Sequence, residues 1–379
     1  SVTQLEVNAQ PPGGPLEVRL FARTDVGQIR EHNEDNFLVA DLSNRSRGLL
    51  EVSRTTTLAH QGMLFAVCDG MGGAAAGEVA SQMAVDILFE KMSESASVEP
   101  PPDRNEVARR LVRSVEIAGA RIFQEAKSDR SRRGMGTTVT AAALVDNHLF
   151  LAQVGDSRGY LLRAGKLTQV TRDQSLVNQL IEAGQLTEEE AETFEHNNII
   201  LQALGTADTV QVDLTYVELR RGDLLMMCSD GLSGMMRNDD IRELLLSSTE
   251  PEEMCKALID RANQAGGHDN ITVIVAHFDG EALTGTTAED DLKYRKYTLP
   301  TDPNSSNRVH SIAPPAKSGG NDAPASLKGA PSSPPAPMMY DPADDAIDLP
   351  GTHIPGWQVA ALVLGVLLFL AGAGWAFLR

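Results

Sequence analysis

Four aspartates stand at the ends of apolar runs, each beside a glycine or an asparagine. They are Met63-Leu-Phe-Ala-Val-Cys-Asp69-Gly, Leu149-Phe-Leu-Ala-Gln-Val-Gly-Asp156-Ser-Arg, Leu224-Leu-Met-Met-Cys-Ser-Asp230-Gly and Gly266-Gly-His-Asp269-Asn-Ile-Thr-Val-Ile-Val. A fifth acidic point, Asn33-Glu34-Asp35-Asn36, precedes Phe37-Leu-Val. Hard divalent cations take carboxylate, carbonyl and water oxygens, and two of them about 3.5–4 Å apart form the clamp of many phosphoester hydrolases. Any one of these signals also reads as a hairpin turn, because Asp and Gly tolerate positive φ. Five together, with no His or Cys pairing to suggest zinc, point to a magnesium or manganese site. Arg30 is the arginine nearest Glu34 and Asp35 in sequence, and its planar fork can hold two phosphate oxygens as a lysine cannot. The alternative for Arg30 is a solvated surface residue.

The elements that must position these groups are partly legible. From Gly77 onward Val79, Met83 and Ile87, and Ala80, Ala84 and Leu88, recur four apart, predicting an amphipathic helix launched from a glycine-rich loop. A second helix is expected from Asn105, with Val107, Leu111, Val115, Ala118 and Ile122 on one stripe. Three consecutive prolines make residues 93–103 a loop. Residues 137–145, 148–154 and 158–163 read as strands joined by short turns. Residues 171–198 are mostly helical in pattern, with Thr187-Glu-Glu-Glu190 as a capping box. Residues 41–62 are polar and read as a hairpin extension or surface loop. The mixture indicates an α+β class.

In chain order the motifs are Val26-Gly-Gln-Ile-Arg30-Glu-His-Asn-Glu34-Asp35, Asp69-Gly-Met-Gly-Gly-Ala-Ala-Ala-Gly-Glu78, Gly134-Met-Gly-Thr-Thr138, Val154-Gly-Asp156-Ser-Arg158-Gly-Tyr, Cys228-Ser-Asp230-Gly-Leu and Gly266-Gly-His-Asp269-Asn-Ile-Thr. This set, spread from about Arg23 to Phe278, resembles the metal-dependent Ser/Thr protein phosphatases of the PPM class (type 2C), particularly their bacterial branch. The resemblance implies two antiparallel sheets packed face to face with helices on both outer faces, an α-β-β-α sandwich. It implies two Mn2+ or Mg2+ ions, with Asp69 bridging both, the Gly70 carbonyl on one, and Asp230 and Asp269 on the other. It further implies that Glu34 and Asp35 hold water at the metals and orient the nucleophile, and that Asp156, with Asn198 and Asp230 as companions, holds a third, weaker metal beside the flap. Three positions depart from the pattern. Met71 stands where some eukaryotic relatives have a histidine, His268 replaces a frequent proline, and Phe194-Glu195 replaces a common His-Pro. The last bears on the third metal, and the first means that leaving-group protonation comes from elsewhere, such as water.

The chain has 379 residues and a formal net charge of -19, which argues against nucleic acid as a partner. Its three cysteines, Cys68, Cys228 and Cys255, lack the spacing of a zinc knuckle or a disulfide framework. Residues 300–355 hold 12 of the 19 prolines, a composition that favours an extended tether. Residues 357–378 then carry no charge, about 33 Å as a helix, enough for a hydrocarbon core of about 30 Å. The expected organisation is a disordered arm over residues 1–18, a phosphatase domain over 19–280, a Pro-rich disordered linker over 281–355 and a single transmembrane helix over 356–379. No signal peptide is recognised in the first 18 residues, so the catalytic domain is expected on the cytoplasmic side of the cell membrane. Arg379, beyond the span, argues weakly for the reverse. The expected activity is hydrolysis of phosphoserine and phosphothreonine on proteins by metal-activated water, opposing bacterial Ser/Thr kinases, with the kinases and their substrates as partners. The competing readings are a membrane-tethered pseudophosphatase that binds phosphoproteins, and a small-molecule phosphoesterase. Every metal carboxylate is present, against the first, and no Gly-x-x-x-x-Gly-Lys-Ser/Thr loop supports nucleotide binding, against the second.

Overall fold

Met63–Cys68 is buried at every position, and its side chains go alternately to two different cores. Met63, Phe65 and Val67 join one hydrophobic cluster, and Leu64, Ala66 and Cys68 another. A strand buried on both faces shows no polar alternation, which is why it reads as a continuous apolar run.

The computed structural model describes residues 14–48, 54–59, 62–72, 76–94, 102–191, 194, 198–287, 292 and 294–300. The strands are β1 (Leu16–Asp25), β2 (Asn36–Asp41), β3 (Ser46–Gly48), β4 (Arg54–Thr57), β5 (Met63–Cys68), β6 (Gly70–Met71), β7 (Gly136–Thr137), β8 (Val139–Val145), β9 (His148–Val154), β10 (Arg158–Arg163), β11 (Lys166–Gln169), β12 (Asp213–Glu218), β13 (Leu224–Cys228) and β14 (Ile271–Gly280). The helices are α1 (Ala76–Ser93), α2 (Arg104–Ser128), α3 (Leu176–Glu182), α4 (Glu188–Ala191), α5 (Asp230–Ser233), α6 (Asn238–Leu246) and α7 (Pro251–Gln264). One six-stranded sheet has the order β11-β10-β13-β14-β1-β4, the other β12-β9-β8-β5-β2-β3, and β6 and β7 form a short ribbon. The two six-stranded sheets are antiparallel throughout.

Three apolar clusters define four layers. Leu20, Phe65, Leu151, Leu225 and Ile274 meet between the sheets. The outer face of the β5 sheet is covered by α1 and α2 through Ala80, Leu88, Leu111 and Ile122. The outer face of the β14 sheet is covered by α5, α6 and α7 through Leu232, Ile241 and Leu258. This is the expected α-β-β-α sandwich. The three cysteines are buried and free. Asp103 caps α2, accepting from the Glu106 N–H at 2.8 Å, and Thr187 and Glu190 close the expected capping box at 2.9 and 3.2 Å.

Several boundaries differ from expectation. β1 begins at Leu16, inside the expected arm, because Leu16, Val18, Leu20 and Ala22 alternate into the inter-sheet core. Of the two readings for 41–62, the described residues favour the hairpin extension: β3 lengthens one sheet beside β2, and β4 lengthens the other beside β1. Residues 171–198 are less helical than expected, since among the described residues only α3 and α4 form there.

The linker expected from residue 281 also begins too early. Thr215 and Lys296 form a bridge at the edge of β12, with Tyr216 N–H donating to the Arg295 carbonyl and Tyr297 N–H to the Leu214 carbonyl. Tyr297 sits edge-on to Phe150 and Tyr216, at centroid distances of 5.1 and 5.2 Å, and its hydroxyl donates to Asn105. Composition turns polar near Phe278, but Leu292, Tyr297 and Leu299 pack against the domain's apolar clusters. Tyr297→Ala is therefore expected to cost about 2 kcal/mol of stability, from two aromatic contacts and a hydrogen bond. An unchanged urea midpoint for the full chain would show that the segment only rests on the domain.

Among the described residues no helix is long and apolar enough to cross a membrane. The expected span, residues 357–378, the tether over 301–355 and residues 1–13 of the arm lie outside the described residues.

Candidate metal centre

Asp69 is held by its backbone. Its N–H donates to Thr138 Oγ1 at 3.0 Å, and its carbonyl accepts from the Thr138 N–H at 2.9 Å and from Thr137 Oγ1 at 2.9 Å. These threonines close the Gly-Met-Gly-Thr-Thr motif, whose Gly136 and Thr137 pair with Met71 and Gly70. The next residue, Gly70, donates its N–H to the Glu34 carbonyl at 3.2 Å. A Cβ on Gly70 would fall 2.3 Å from the Gly77 carbonyl oxygen and 2.4 Å from that of Glu34. Only a residue without a side chain lets the Asp69 loop, the Glu34 loop and the start of α1 converge.

The other side is built from the paired strands β1 and β14, where Asp25 faces Ile271. That register sets the loop after β1 against the turn before β14, and Asn270 binds the two together. Asn270 Oδ1 accepts from the Glu34 N–H at 2.8 Å, and its amide donates to the carbonyls of Val26 and His32 at 2.9 and 3.0 Å. Asp269 accepts from the Asn270 N–H at 2.8 Å and from Arg30 Nη2 at 2.7 Å. Asp35 is buried, and its Oδ2 accepts from Ser229 Oγ and Thr272 Oγ1, both at 2.7 Å.

The electrostatics join these pieces. Asp69 is pushed well above the usual carboxylate range by burial and by the charges of Asp35, Asp230 and Asp156, and it shares a side-chain hydrogen bond with Asp230. Burial also raises Asp35, to about 8, with Asp230 and Asp269 adding to it while the bonds from Thr272 and Ser229 oppose it. Asp156 is raised to about 7 by burial, Asp230 and Asp173, against the pull of Arg158. Asp230 is raised by burial and Asp269, opposed by its bond to Asp69 and by Arg30. Glu34 is raised by burial, opposed by the Gly77 N–H and Arg30. Asp35, Asp156 and Asp230 each keep a buried Oδ1 without a hydrogen-bond partner.

A buried, mutually repelling set of carboxylates with unpartnered oxygens has the chemistry of a hard-cation site. Among the described residues no group of three His, Cys, Asp or Glu side chains forms a ready-made ligand set. Instead Asp69 and Asp230 satisfy each other, and Asp269 is taken by Arg30. A hard cation completes its shell with carbonyl and water oxygens and needs few carboxylates, so the burial and the orphaned oxygens still mark the site. A cleft of about 560 Å³ lined by Gln169, Thr171, Arg172, Asn178, Glu182 and Tyr294 shares no residue with this cluster.

Arg30, Glu34, Asp35, Asp69, Gly70, Asp156, Asp230 and Asp269 are thus brought together. Asn198 is exposed, and among the described residues no hydrogen bond joins it to this cluster. Sequence reasoning passed over Thr138, Ser229, Asn270 and Thr272, which aim the acidic residues. Their signal was adjacency, since each lies within three residues of a strand-end aspartate or in the Gly-Met-Gly-Thr-Thr motif.

The protein phosphatase 2C family model matches residues 52–268. Protein phosphatase PhpP of Streptococcus pneumoniae is 40% identical over 267 residues, covering 70% of this chain and 99% of the relative. The crystal structure of the Mycobacterium tuberculosis serine/threonine phosphatase PstP/Ppp has 36% identity and a TM-score of 0.58, over 69% of this chain and 99% of that one. The catalytic domain of a serine/threonine protein phosphatase PstP in complex with two manganese ions has 37% identity and a TM-score of 0.57, over 70% of this chain and 99% of that one. With the motifs, the four-layer sandwich and the carboxylate centre in agreement, the chain belongs to the protein phosphatase 2C family.

Proposed function

We infer that this chain is a metal-dependent protein phosphatase acting on phosphoserine and phosphothreonine in proteins. The observation that carries the reading is the set of buried, partnerless oxygens on Asp35, Asp156 and Asp230, gathered around Asp69 beside the Arg30 guanidinium. The donor set suits two Mn2+ or Mg2+, held by Asp69, the Gly70 carbonyl, Asp230 and Asp269. Asp156 suits a third, weaker ion, with Asn198 and Asp230 as companions. When bound, such ions neutralise phosphoryl oxygens and lower the pKa of a water placed for in-line attack.

The remaining work falls to side chains. Arg30 presents its planar fork to two phosphoryl oxygens, with its Nη2 anchored on Asp269. Asp35, immobilised by Ser229 and Thr272, keeps Oδ1 as an acceptor that orients water. Glu34 is held in place through its N–H on Asn270 and its carbonyl, which accepts from Gly70 N–H and from Ser81 Oγ. Met71 offers no proton, so the leaving serine or threonine oxygen takes its proton from water.

The test is phosphate release by the full chain from phosphoserine and phosphothreonine peptides and from nucleotides, with manganese and with a chelator. Chelator-sensitive release from the peptides supports the reading. Release from nucleotides alone would replace it with a small-molecule phosphoesterase, and phosphopeptide binding without turnover with a pseudophosphatase.

Location is the second part of the proposal. Residues 357–378 anchor the protein in the cell membrane as a single span, the proline-rich stretch before them is a flexible tether, and the catalytic domain faces the cytoplasm, where Ser/Thr kinases and their substrates are its partners. The support is compositional: an uncharged apolar stretch follows a proline-rich one. Deleting residues 354–379 is expected to move the protein from the membrane fraction to the soluble one with peptide turnover unchanged. Continued sedimentation with membranes would rule out the anchor. Digestion of the full-length catalytic domain by protease added outside intact cells would reverse the orientation.

A further inference from the structure

A phosphoprotein approaching this site meets an acidic centre on a chain of net charge -19. Arg30 offsets little of that, since it is engaged by Asp269. A second source of positive charge lies on the turn that feeds β7. There Arg130–Arg132 form a single 3-10 turn capped by Asp129, which accepts from the Ser131 N–H at 2.8 Å and from Ser131 Oγ at 2.7 Å. Arg132 is tied down by Glu125 and by Asp129. Its carbonyl accepts from the Met135 N–H at 3.1 Å, and Gly134 turns the chain at φ +79° with open space around it. Arg130 and Arg133 differ from Arg132. Both are exposed, and neither pairs with a carboxylate among the described residues.

The turn is fastened to the metal centre by the shortest possible route. Gly136 pairs with Met71, Thr137 with Gly70, and the Thr138 N–H binds the Asp69 carbonyl. The Met135 Cα lies 3.3 Å from where a Cβ on Gly72 would stand. Two residues, Gly134 and Met135, therefore separate Arg133 from the strand flush against the metal loop, three chain steps or at most about 10 Å. A hydrogen-bonded turn thus carries two exposed arginines, unpaired among the described residues, on a short chain path from the metal loop.

We propose that Arg130 and Arg133 are the docking contact for acidic residues flanking the phosphorylated residue of a protein substrate. The proposal rests on the phosphatase reading above and adds a sequence preference to it. Two charges of one sign on a firm turn steer and orient an oppositely charged segment, chiefly through the encounter rate and its salt dependence. Arg30 takes the phosphoryl group, so these arginines are free to read its neighbours.

The test compares the wild-type full chain with the Arg130→Glu/Arg133→Glu double variant, using manganese and three substrates. These are a phosphothreonine peptide flanked by Asp and Glu, the same peptide flanked by Ser and Gly, and p-nitrophenyl phosphate. The variant is expected to lose about 5- to 10-fold in kcat/KM on the acidic peptide, mostly through KM and more at low salt than at high. The other two substrates keep their wild-type values. An Arg130→Gln/Arg133→Gln variant, which removes charge without reversing it, is expected to fall between. Equal losses on all three substrates, or no loss on the acidic peptide, would overturn the docking role. A wild-type chain inactive on all three would remove the phosphatase reading, and this proposal with it.

Discussion

Asp69→Asn is expected to lower phosphopeptide turnover by at least about 1000-fold while leaving the fold intact. The ions it would hold are worth several kcal/mol of transition-state charge stabilisation, and about 1.4 kcal/mol is a factor of ten. Asparagine keeps the side-chain shape, and Asp69 is fixed through its backbone by Thr137 and Thr138, so the loop is expected to stay in place. Stability provides an independent check with a definite sign. Burial and the neighbouring carboxylates hold Asp69 above its unfolded pKa. A raised carboxyl destabilises the fold at every pH above its unfolded value, neutral pH included. Without metal the variant should therefore melt at or above the wild-type temperature, and manganese, which stabilises the wild type by binding only the folded state, should barely shift it. A metal-free variant that melts several degrees lower, or one that retains more than a few per cent of turnover, would contradict the assignment.

Arg30→Lys tests the phosphate site through geometry, since charge is retained. The Arg30 side chain is half-exposed, with Nη2 on Asp269 at 2.7 Å. Lysine can replace that contact but cannot also present a planar pair of donors to two phosphoryl oxygens. Losing one charge-assisted bond of about 1.5–3 kcal/mol predicts a drop of roughly 10- to 100-fold in kcat/KM. Most of the loss should appear in KM, because the phosphate is gripped before and during reaction. An unchanged KM would return Arg30 to a solvated residue paired with Asp269.

The residues that carry chemistry were legible because the backbone restricts where they occur. Asp69, Asp156 and Asp230 follow buried strands, and Asp269 precedes one. Strand ends are where an apolar run must turn, so acidic and glycine residues there stand out against Met63–Cys68 or Leu224–Cys228. Helices α1 and α2 were legible for a related reason, a stripe of apolar residues facing one sheet.

Other features were hidden by the same physics. β1 and the stretch 294–300 each gain their place by pairing with a strand distant in sequence, β14 for one and β12 for the other, which no local pattern announces. The supporting shell of Thr138, Ser229, Asn270 and Thr272 is ordinary polar sequence until the fold shows what each residue touches. The turn at Arg130–Arg132 reads as one more charged loop until the pairing of Gly136 with Met71 brings it to the metal loop.

By itself, then, the sequence determined which groups this protein has available, an acidic set for hard cations and a forked cation for phosphate, and which local elements would carry them. Only the tertiary structure decided that Asp35, Asp69, Asp156 and Asp230 are coupled in one site with the partly exposed Asp269 beside them, that Asn198 lies exposed, and that packing against the domain reaches Leu299. Residue type and spacing act over one turn or one strand. Bringing positions 34 and 270 together depends on strand register, which is set by the cooperative burial of three cores and is not encoded at either position.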